Sequence, residues 1–303
     1  MPAVMSRLFL IAAVLAGAGA LLGFFGALHW TLDLFAHFRV QYAAVLVPAA
    51  LVFWRRRWLV SFLVVAAASN LWVLYPVVGG AGAVAGETTA LRVATVNLNY
   101  RNRQDEAVVA FLRDAGADIV VLQEVTPAWE ALLRGLTEQY PYAWFAPRED
   151  PFGIALLSRR PCADCRVMDF GVTPAIAGRF ALAGREIEVV GIHPPPPMSA
   201  EWTAARDDLL MNVAGYLSPL ERPAIVLGDL NATPWSAGYR AFIDASGLAR
   251  GRGLHPTWPS FFGLPVIPID HVLVSAPLSL SRVALGPEIG SDHYPLLADI
   301  VLR

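Results

Sequence analysis

Six short polar clusters stand at the ends of apolar runs or in the loops beside them: Asn97 and Asn99 in TVNLNY, Glu124 in VVLQEV, His193 in VVGIHPPPP, Asp229 and Asn231 in IVLGDLNATP, Asp270 in PIDHVLVS, and Asp292 with His293 in GSDHYPLLADI. Polar groups that close a buried strand are well placed for chemistry, because the scaffold fixes them while the following loop leaves them accessible. Each has a local explanation when taken singly. Asn97 could close a turn, Glu124 could cap the next helix, and Asp229 with Asn231 could form an Asx-turn. Taken together, four carboxylates, three amides and two histidines are what metal-assisted cleavage of a phosphoester requires. Carboxylate oxygens hold a hard cation such as Mg²⁺ or Mn²⁺, a base takes a proton from water, and neutral donors meet the phosphoryl oxygens. An Asp beside a His raises imidazole basicity and fixes the orientation of the ring.

The elements that must position these groups follow from periodicity. Leu91 to Leu98 reads as a strand, Gln104 to Ala115 as an amphipathic helix and Asp118 to Gln123 as a buried strand. Helix Thr126 to Glu138 follows, with Thr126 as cap and Pro127 in its first turn. Further strands are predicted over Gly153 to Ser158, Arg179 to Leu182, Glu186 to Ile192, Ala224 to Leu227, Asp270 to Ser275, Ser279 to Ala284 and Leu296 to Leu302. Ala183-Gly184 marks a hairpin, and helices are predicted over Ala200 to Leu217 and Ser236 to Ala245. Hairpins mixed with strand, helix, strand units indicate an α+β or mixed α/β sandwich, with two facing sheets and helices outside.

The ordered set TxNxN, LQE, GIHP, GDLNxTP, IDH and SDHYP resembles the endonuclease/exonuclease/phosphatase superfamily, the DNase I-like fold, over essentially all of Leu91 to Arg303. The combination of GDLN with a terminal SDH after an IDH carries the likeness. The resemblance implies a four-layer α/β-sandwich and a Mg²⁺-dependent phosphoester hydrolase, a nuclease or other phosphodiesterase, with a lipid-headgroup phosphodiesterase or phosphatase as the alternative. It implies Glu124 as the principal metal ligand, with Asn97 its partner and Asp292 close to the metal. Asp229 resembles the group that orients or deprotonates the attacking water, and Asn231 the donor to a phosphoryl oxygen. His193 resembles a histidine near the leaving group or phosphate, His293 the one facing the phosphate, and Asp270 the carboxylate that fixes the tautomer of His293. Asn99 stands where several nucleases carry a second acidic ligand, so a site centred on the single carboxylate Glu124 is expected. With Asn231 and His193, Asn99 completes the expected substrate contacts.

Other residues compete for attention. Cys162 and Cys165 lack the further ligands of a zinc site and read equally as a local disulfide or as two thiols. Pro194 to Pro197 is expected to form a stiff rim beside His193. His255, Trp258, Phe261 and Phe262 read as an apolar lip on the cleft or as core beneath a loop, and His271 alternates away from Asp270.

The chain is 56% hydrophobic and 16% charged, a balance that belongs to two different regions. Residues 1–90 hold seven charged side chains: Arg7, Asp33, Arg39, Arg55, Arg56, Arg57 and Glu87. Leu8 to Leu32 and Trp58 to Gly86 are uncharged runs long enough to span a bilayer. Val40 to Trp54 becomes a third span if it borrows Leu34 to Phe38 and lets Arg39 snorkel to the surface. Asp33, His37 and Arg39 are then expected at an interface, in contact with water. Residues 1–86 therefore read as a multi-pass anchor in the cell membrane, and 87–303 as the catalytic domain, with no obligate protein partner indicated. From residue 91 onward there are 18 arginines and 23 acids, a net −5 that argues against tight sequence-independent nucleic-acid binding.

Arginines favour the cytoplasmic side, and three spans put Arg7 and Arg55 to Arg57 there together, leaving the catalytic domain extracytoplasmic. A reporter fused after Arg303 that works only outside the cytoplasm is expected to be active. Activity from a cytoplasm-only reporter at the same position would reverse the orientation.

Overall fold

The computed structural model describes residues 2–78, 90–260 and 266–302. Its residues gather into two compact units, Met1–Gly80 with Thr233–Arg240, and Ala81–Ala232 with Ala241–Arg303. The boundary expected between residues 86 and 87, the tail of the Trp58 to Gly86 run, and Phe261 and Phe262 lie outside the described residues.

In the first unit the apolar runs form α1 (Ala3–Leu22), α2 (Trp30–Leu34), α3 (Arg39–Val52) and α4 (Arg57–Val78). A 3₁₀ turn extends α1 to Phe25, and another over Phe35–Phe38 joins α2 to α3. Three stretches are thus long and apolar enough to cross a membrane: Ala3–Phe25, Trp30–Val52 and Arg57–Val78. The first uncharged run does not remain one helix to Leu32, because the chain turns between Gly26 and His29. Gly26 packs so closely on Asp33 that a Cβ there would meet its side chain, and His29 caps the next helix by accepting the Thr31 N–H. The middle span accordingly begins at Trp30, not at Leu34.

Small residues on one face of α1, Ala13, Ala16, Gly17 and Ala20, are buried. A Cβ on Gly17 would collide with the Phe62 ring. Such a face lets helices approach closely where water supplies no driving force. The rings of Phe9 and Phe53 stack 5.9 Å apart, so the Arg7 end of α1 and the arginine turn before α4 share one end of the unit. Arg39 does not snorkel. It is 1% exposed, and its Nη1 donates to the Ala20 carbonyl at 2.6 Å and to Asn70 Oδ1 at 3.4 Å. Asn70 Nδ2 returns a 2.6 Å bond to the Arg39 carbonyl, and the guanidinium lies 4.4 Å from the Phe24 ring centre. Asp33 and His37 are buried as well, rather than lying at a wet interface. A charge away from water is retained only when polar groups and an aromatic face replace its hydration.

The second unit contains two six-stranded sheets. The first runs in the order β11 (Leu278–Leu285), β12 (Leu296–Leu302), β1 (Leu91–Asn97), β2 (Ile119–Gln123), β4 (Ile154–Ser158), β3 (Tyr142–Ala146). The second runs β5 (Arg166–Asp169), β6 (Pro174–Leu182), β7 (Arg185–Gly191), β8 (Ala224–Asp229), β10 (Asp270–Val274), β9 (Ala249–Arg250). Side chains alternate along β1: Val93 joins the core between the sheets, whereas Ala94 and Val96 join the core under the helices α5 (Asp105–Asp114) and α6 (Pro127–Leu133). Burial on both faces explains why β1 and β2 read as continuous apolar runs. The helix α7 (Ala200–Leu217) carries the crossover from β7 to parallel β8, and α8 (Ala237–Ser246) follows β8.

The α+β reading and the two-sheet sandwich are therefore borne out, with some differences in the elements and one open alternative decided; the strand read from Arg179, for one, begins at Pro174. The helix from Pro127 ends at Leu133 and continues only as a 3₁₀ turn to Leu136, because Gly135 weakens helix propagation. Strands β3, β5 and β9, absent from the sequence reading, are edge strands whose exposed faces break the apolar pattern. Finally, Cys162 and Cys165 are joined as a disulfide. Gly178 of β6 lies so close beneath it that a Cβ would overlap both sulfurs. At the predicted hairpin, Ala183 and Gly184 both take positive φ, 49° and 79°, as a two-residue turn between β6 and β7 requires.

Asn70→Val removes the side chain that closes around Arg39. It is expected to cost about 1 kcal/mol, the scale of a hydrogen bond between membrane helices, read as a lower denaturation midpoint of the full chain in detergent.

Candidate active site

Each sheet has one parallel pair at its centre, β1 with β2 and β7 with β8. Polar residues collect where those pairs end. Asn97 ends β1, Glu124 follows β2, His193 follows β7 and Asp229 ends β8. The neighbouring antiparallel strands start at the same rim: Asp270 opens β10 opposite Asp229, and the segment bearing Asp292 and His293 precedes β12. Parallel strands end side by side, so the loops that leave them converge, a general reason for sites at carboxyl ends of strands. Gly228 makes the junction feasible. With φ at 154° it lies against the Ile192 carbonyl, where a Cβ would clash with the backbone leading to His193.

The side chains form one bonded array. Asn97 Nδ2 donates to Glu124 Oε1 and to Asp229 Oδ2, both at 3.1 Å. Glu124 Oε2 accepts the Tyr100 N–H at 2.9 Å. Asn99 Nδ2 donates to Asp292 Oδ1 at 2.8 Å, and Trp258 Nε1 donates to Asp292 Oδ2 at 3.1 Å. Two imidazoles flank Asp229, His193 Nε2 and His293 Nε2 each lying 3.6 Å from its Oδ2. Behind His293, Asp270 Oδ2 lies 2.8 Å from Nδ1, while the Asn231 N–H donates to Asp229 Oδ1 at 2.9 Å. All nine residues singled out by sequence are thus brought together. His271 is not among them; its Nε2 meets the Ala232 carbonyl at 2.8 Å, and burial, reinforced by Arg250, pushes it down to about 3.

Among the described residues four non-glycine residues take positive φ, and three of them belong to this array: Asn99 (56°), Glu124 (60°) and Asn231 (49°). For a non-glycine residue this is a sparsely populated conformation, retained where the surroundings over-determine it. Here Asx-type bonds hold two of the three turns, Asn99 N–H to Asn97 Oδ1 and Asn231 N–H to Asp229 Oδ1, and the result aims side chains inward.

The electrostatics divide the array. Burial would raise Asp229, but His293 and His193 beside it outweigh that and hold the carboxyl below its usual range. Burial would lower His293, but Asp270 and Asp229 overcome that and push it up to about 10. Asp270 is raised by burial, with His293 working against the rise. The raised His293 offsets part of the charge of this inner cluster. Asp229, Asp270 and His293 also offer ligand atoms within 4.8 Å of one another, close enough that they could hold a metal ion. On the outer side, Glu124 and Asp292 are half-buried and, among the described residues, no cation pairs with either. An all-oxygen set with uncompensated charge suits a hard divalent cation, so the residues fit such an ion.

Sequence reasoning missed several supports. Trp258, read as lip or core, instead fixes Asp292. Ser291 donates to the Asn97 carbonyl at 2.7 Å and accepts the His293 N–H at 3.1 Å, joining the two ends of the domain. Its place in the SDH motif was the available signal. Phe152, whose ring centre lies 5.8 Å from that of His193, carried none.

Residues 94–293 match the model of the endonuclease/exonuclease/phosphatase family, and the chain belongs to that family. No curated protein matches in sequence. Among solved structures, a conserved protein of unknown function from Enterococcus faecalis is similar at TM-score 0.61 and 18% identity, covering 70% of this chain and 100% of that one. An endonuclease/exonuclease/phosphatase from Beutenbergia cavernae matches at TM-score 0.59 and 20% identity, over 70% of this chain and 71% of that one. The human Nocturnin catalytic domain, solved with a bound sulfate anion, gives 0.59 and 20%, over 72% and 96%. These likenesses establish the fold, and the family makes the chain a phosphoester hydrolase.

The raised His293 gives a signed expectation for the protein in chelator. Its contribution to stability is complete below the unfolded imidazole value near 6.5 and is lost as pH rises toward about 10. His293→Gln should cost about 3 kcal/mol near neutrality, since it takes from buried Asp270 its charged partner and from Asp229 one of its two imidazoles. The difference in Tm between wild type and variant should then shrink from pH 6.5 to 10.

Proposed function

We propose that this member of the endonuclease/exonuclease/phosphatase family is a Mg²⁺-dependent phosphodiesterase, held in the cell membrane by its three apolar helices with the catalytic unit on the extracytoplasmic side. The observation that carries the reading is the Asn97 amide, which ties the uncompensated Glu124 to Asp229 in the cluster whose charge His293 partly offsets. Glu124 and Asp292 would hold the cation, with Asn97 beside them. Once bound, it would neutralise charge on the phosphoryl group and make water easier to ionise.

The chain's own groups supply the rest. Asp229, kept ionised, accepts a hydrogen from the attacking water and orients it along the line of displacement. His293, protonated and fixed by Asp270, donates to a phosphoryl oxygen as negative charge grows there. His193 offers a second donor from the end of the adjacent parallel strand, β7. Asn231 spends one amide hydrogen on the Pro194 carbonyl at 3.0 Å and keeps another for substrate.

With bis(p-nitrophenyl) phosphate and Mg²⁺, Asp229→Asn and Glu124→Gln are each expected to lower kcat by about 10³-fold, the scale of removing one preorganised electrostatic contact. Raising Mg²⁺ should restore part of the activity of Glu124→Gln and none of that of Asp229→Asn. Unchanged turnover in both variants would refute the assignment.

A further inference from the structure

The turn that carries Asn231 is held from behind by a buried cation. Arg206 lies on α7 and is fully buried, on the face where Leu209, Leu210 and Val213 are buried too. A guanidinium away from water is costly unless its donors are met, and an apolar residue of similar size would pack there without that cost. Its contacts therefore indicate what it is for. Nε donates to Asp207 Oδ1 at 2.8 Å, and Nη1 donates to the Asn231 carbonyl at 3.2 Å.

The second of these bonds falls on a strained residue. Asn231 has φ at 49°, and such a conformation is lost when either peptide plane beside its Cα rotates. The preceding plane is fixed, because the Asn231 N–H donates to Asp229 Oδ1 at 2.9 Å. The following plane carries the carbonyl that Arg206 holds. One residue on, buried His271 donates from Nε2 to the Ala232 carbonyl at 2.8 Å, which fixes the exit from the turn. With its backbone so placed, the Asn231 side chain reaches the Pro194 carbonyl at 3.0 Å.

We propose that Arg206 is a positioning residue for phosphoester cleavage: it fixes the left-handed turn at Asn231 and thereby aims the remaining amide hydrogen of Asn231 at a phosphoryl oxygen. The proposal rests on the reading above, in which Asn231 meets the substrate. A guanidinium suits this task because its donors diverge in one rigid plane, with one arm for Asp207 and one for the turn. Lysine would bring a point charge and no fork.

The test is a double-mutant cycle in the full chain in amphipol, with Mg²⁺ and bis(p-nitrophenyl) phosphate. Arg206→Met keeps the bulk of the stem and removes the donors, while Asn231→Gly removes the amide and leaves a residue that takes positive φ without steric cost. Arg206→Met should lower kcat by about 10-fold, the scale of one hydrogen bond to a charged group. In the Asn231→Gly background the same substitution should change kcat by less than about 2-fold, because nothing remains for Arg206 to aim. A residue that only supports the fold lowers kcat by the same factor in both backgrounds. That result, or an unchanged kcat in Arg206→Met, overturns the proposal. If Arg206→Met does not fold, Arg206→Lys, which keeps the charge and loses the fork, goes through the same cycle with the same expectations.

If the wild type turns over no ester, the phosphodiesterase reading fails by itself, and magnetic resonance of the protein isotopically labelled on asparagine nitrogen decides the role of Arg206. The side-chain amide signals of Asn231, identified by their loss in Asn231→Gly, should shift in Arg206→Met. Those of Asn102, whose Nδ2 donates to the Ile289 carbonyl at 3.0 Å, should stay in place. Asn231 signals that do not move, or a shift shared by Asn102, overturn the proposal.

Discussion

One amide connects the two sheets at the rim. Asn97 ends β1 of the first sheet, and its Nδ2 is shared between Glu124, which follows the adjacent strand, and Asp229, which ends β8 of the second. An amide is suited to this position because it offers two hydrogens and no charge. A lysine or arginine would neutralise both carboxylates, and an apolar residue would leave them facing each other unbonded. Asn97 Oδ1 is spent as well, on the Asn99 N–H, so the side chain has one orientation that satisfies its neighbours. The left-handed turns at Asn99, Glu124 and Asn231 depend on that array and hold it in return.

The domain can present such an array because its two halves repeat one plan. Each sheet centres on a parallel pair, and the antiparallel neighbours feed their first residues into the rim where the pair ends. Residues more than 190 positions apart meet in this way, as in the bond from Ser291 to the Asn97 carbonyl. The antiparallel edges of the same sandwich are less enclosed, as the exposed faces of β3 and β5 show.

The helical unit follows a different logic. Its packing depends on small residues along α1 and on one enclosed polar knot, Arg39 with Asn70 and the Ala20 carbonyl. Composition predicted three apolar spans, and the described residues contain three helical stretches long and apolar enough to cross a membrane. What composition placed at the surface, Asp33, His37 and Arg39, is inside instead, and for Arg39 the reason is visible: Asn70 and the Ala20 carbonyl on neighbouring helices replace the water that snorkelling would seek.

The sequence by itself determined the periodic elements and the chemistry of their ends: buried strands that are apolar on both faces, a Thr-Pro helix start, a hairpin at Ala183-Gly184, and polar groups set just past strands. These are local properties, written in alternation and in turn residues. The edge strands β3, β5 and β9 escaped notice because their faces are largely solvated, and the helix from Pro127 was read too long because the weakening by Gly135 was not weighed. Only the tertiary structure decided which ends meet, that Asp229 faces two imidazoles, that Trp258 steadies Asp292, and that Arg39 is enclosed. Each of these depends on the order of strands and helices in space. Crossovers and long-range packing set that order, and no window of neighbouring residues contains it.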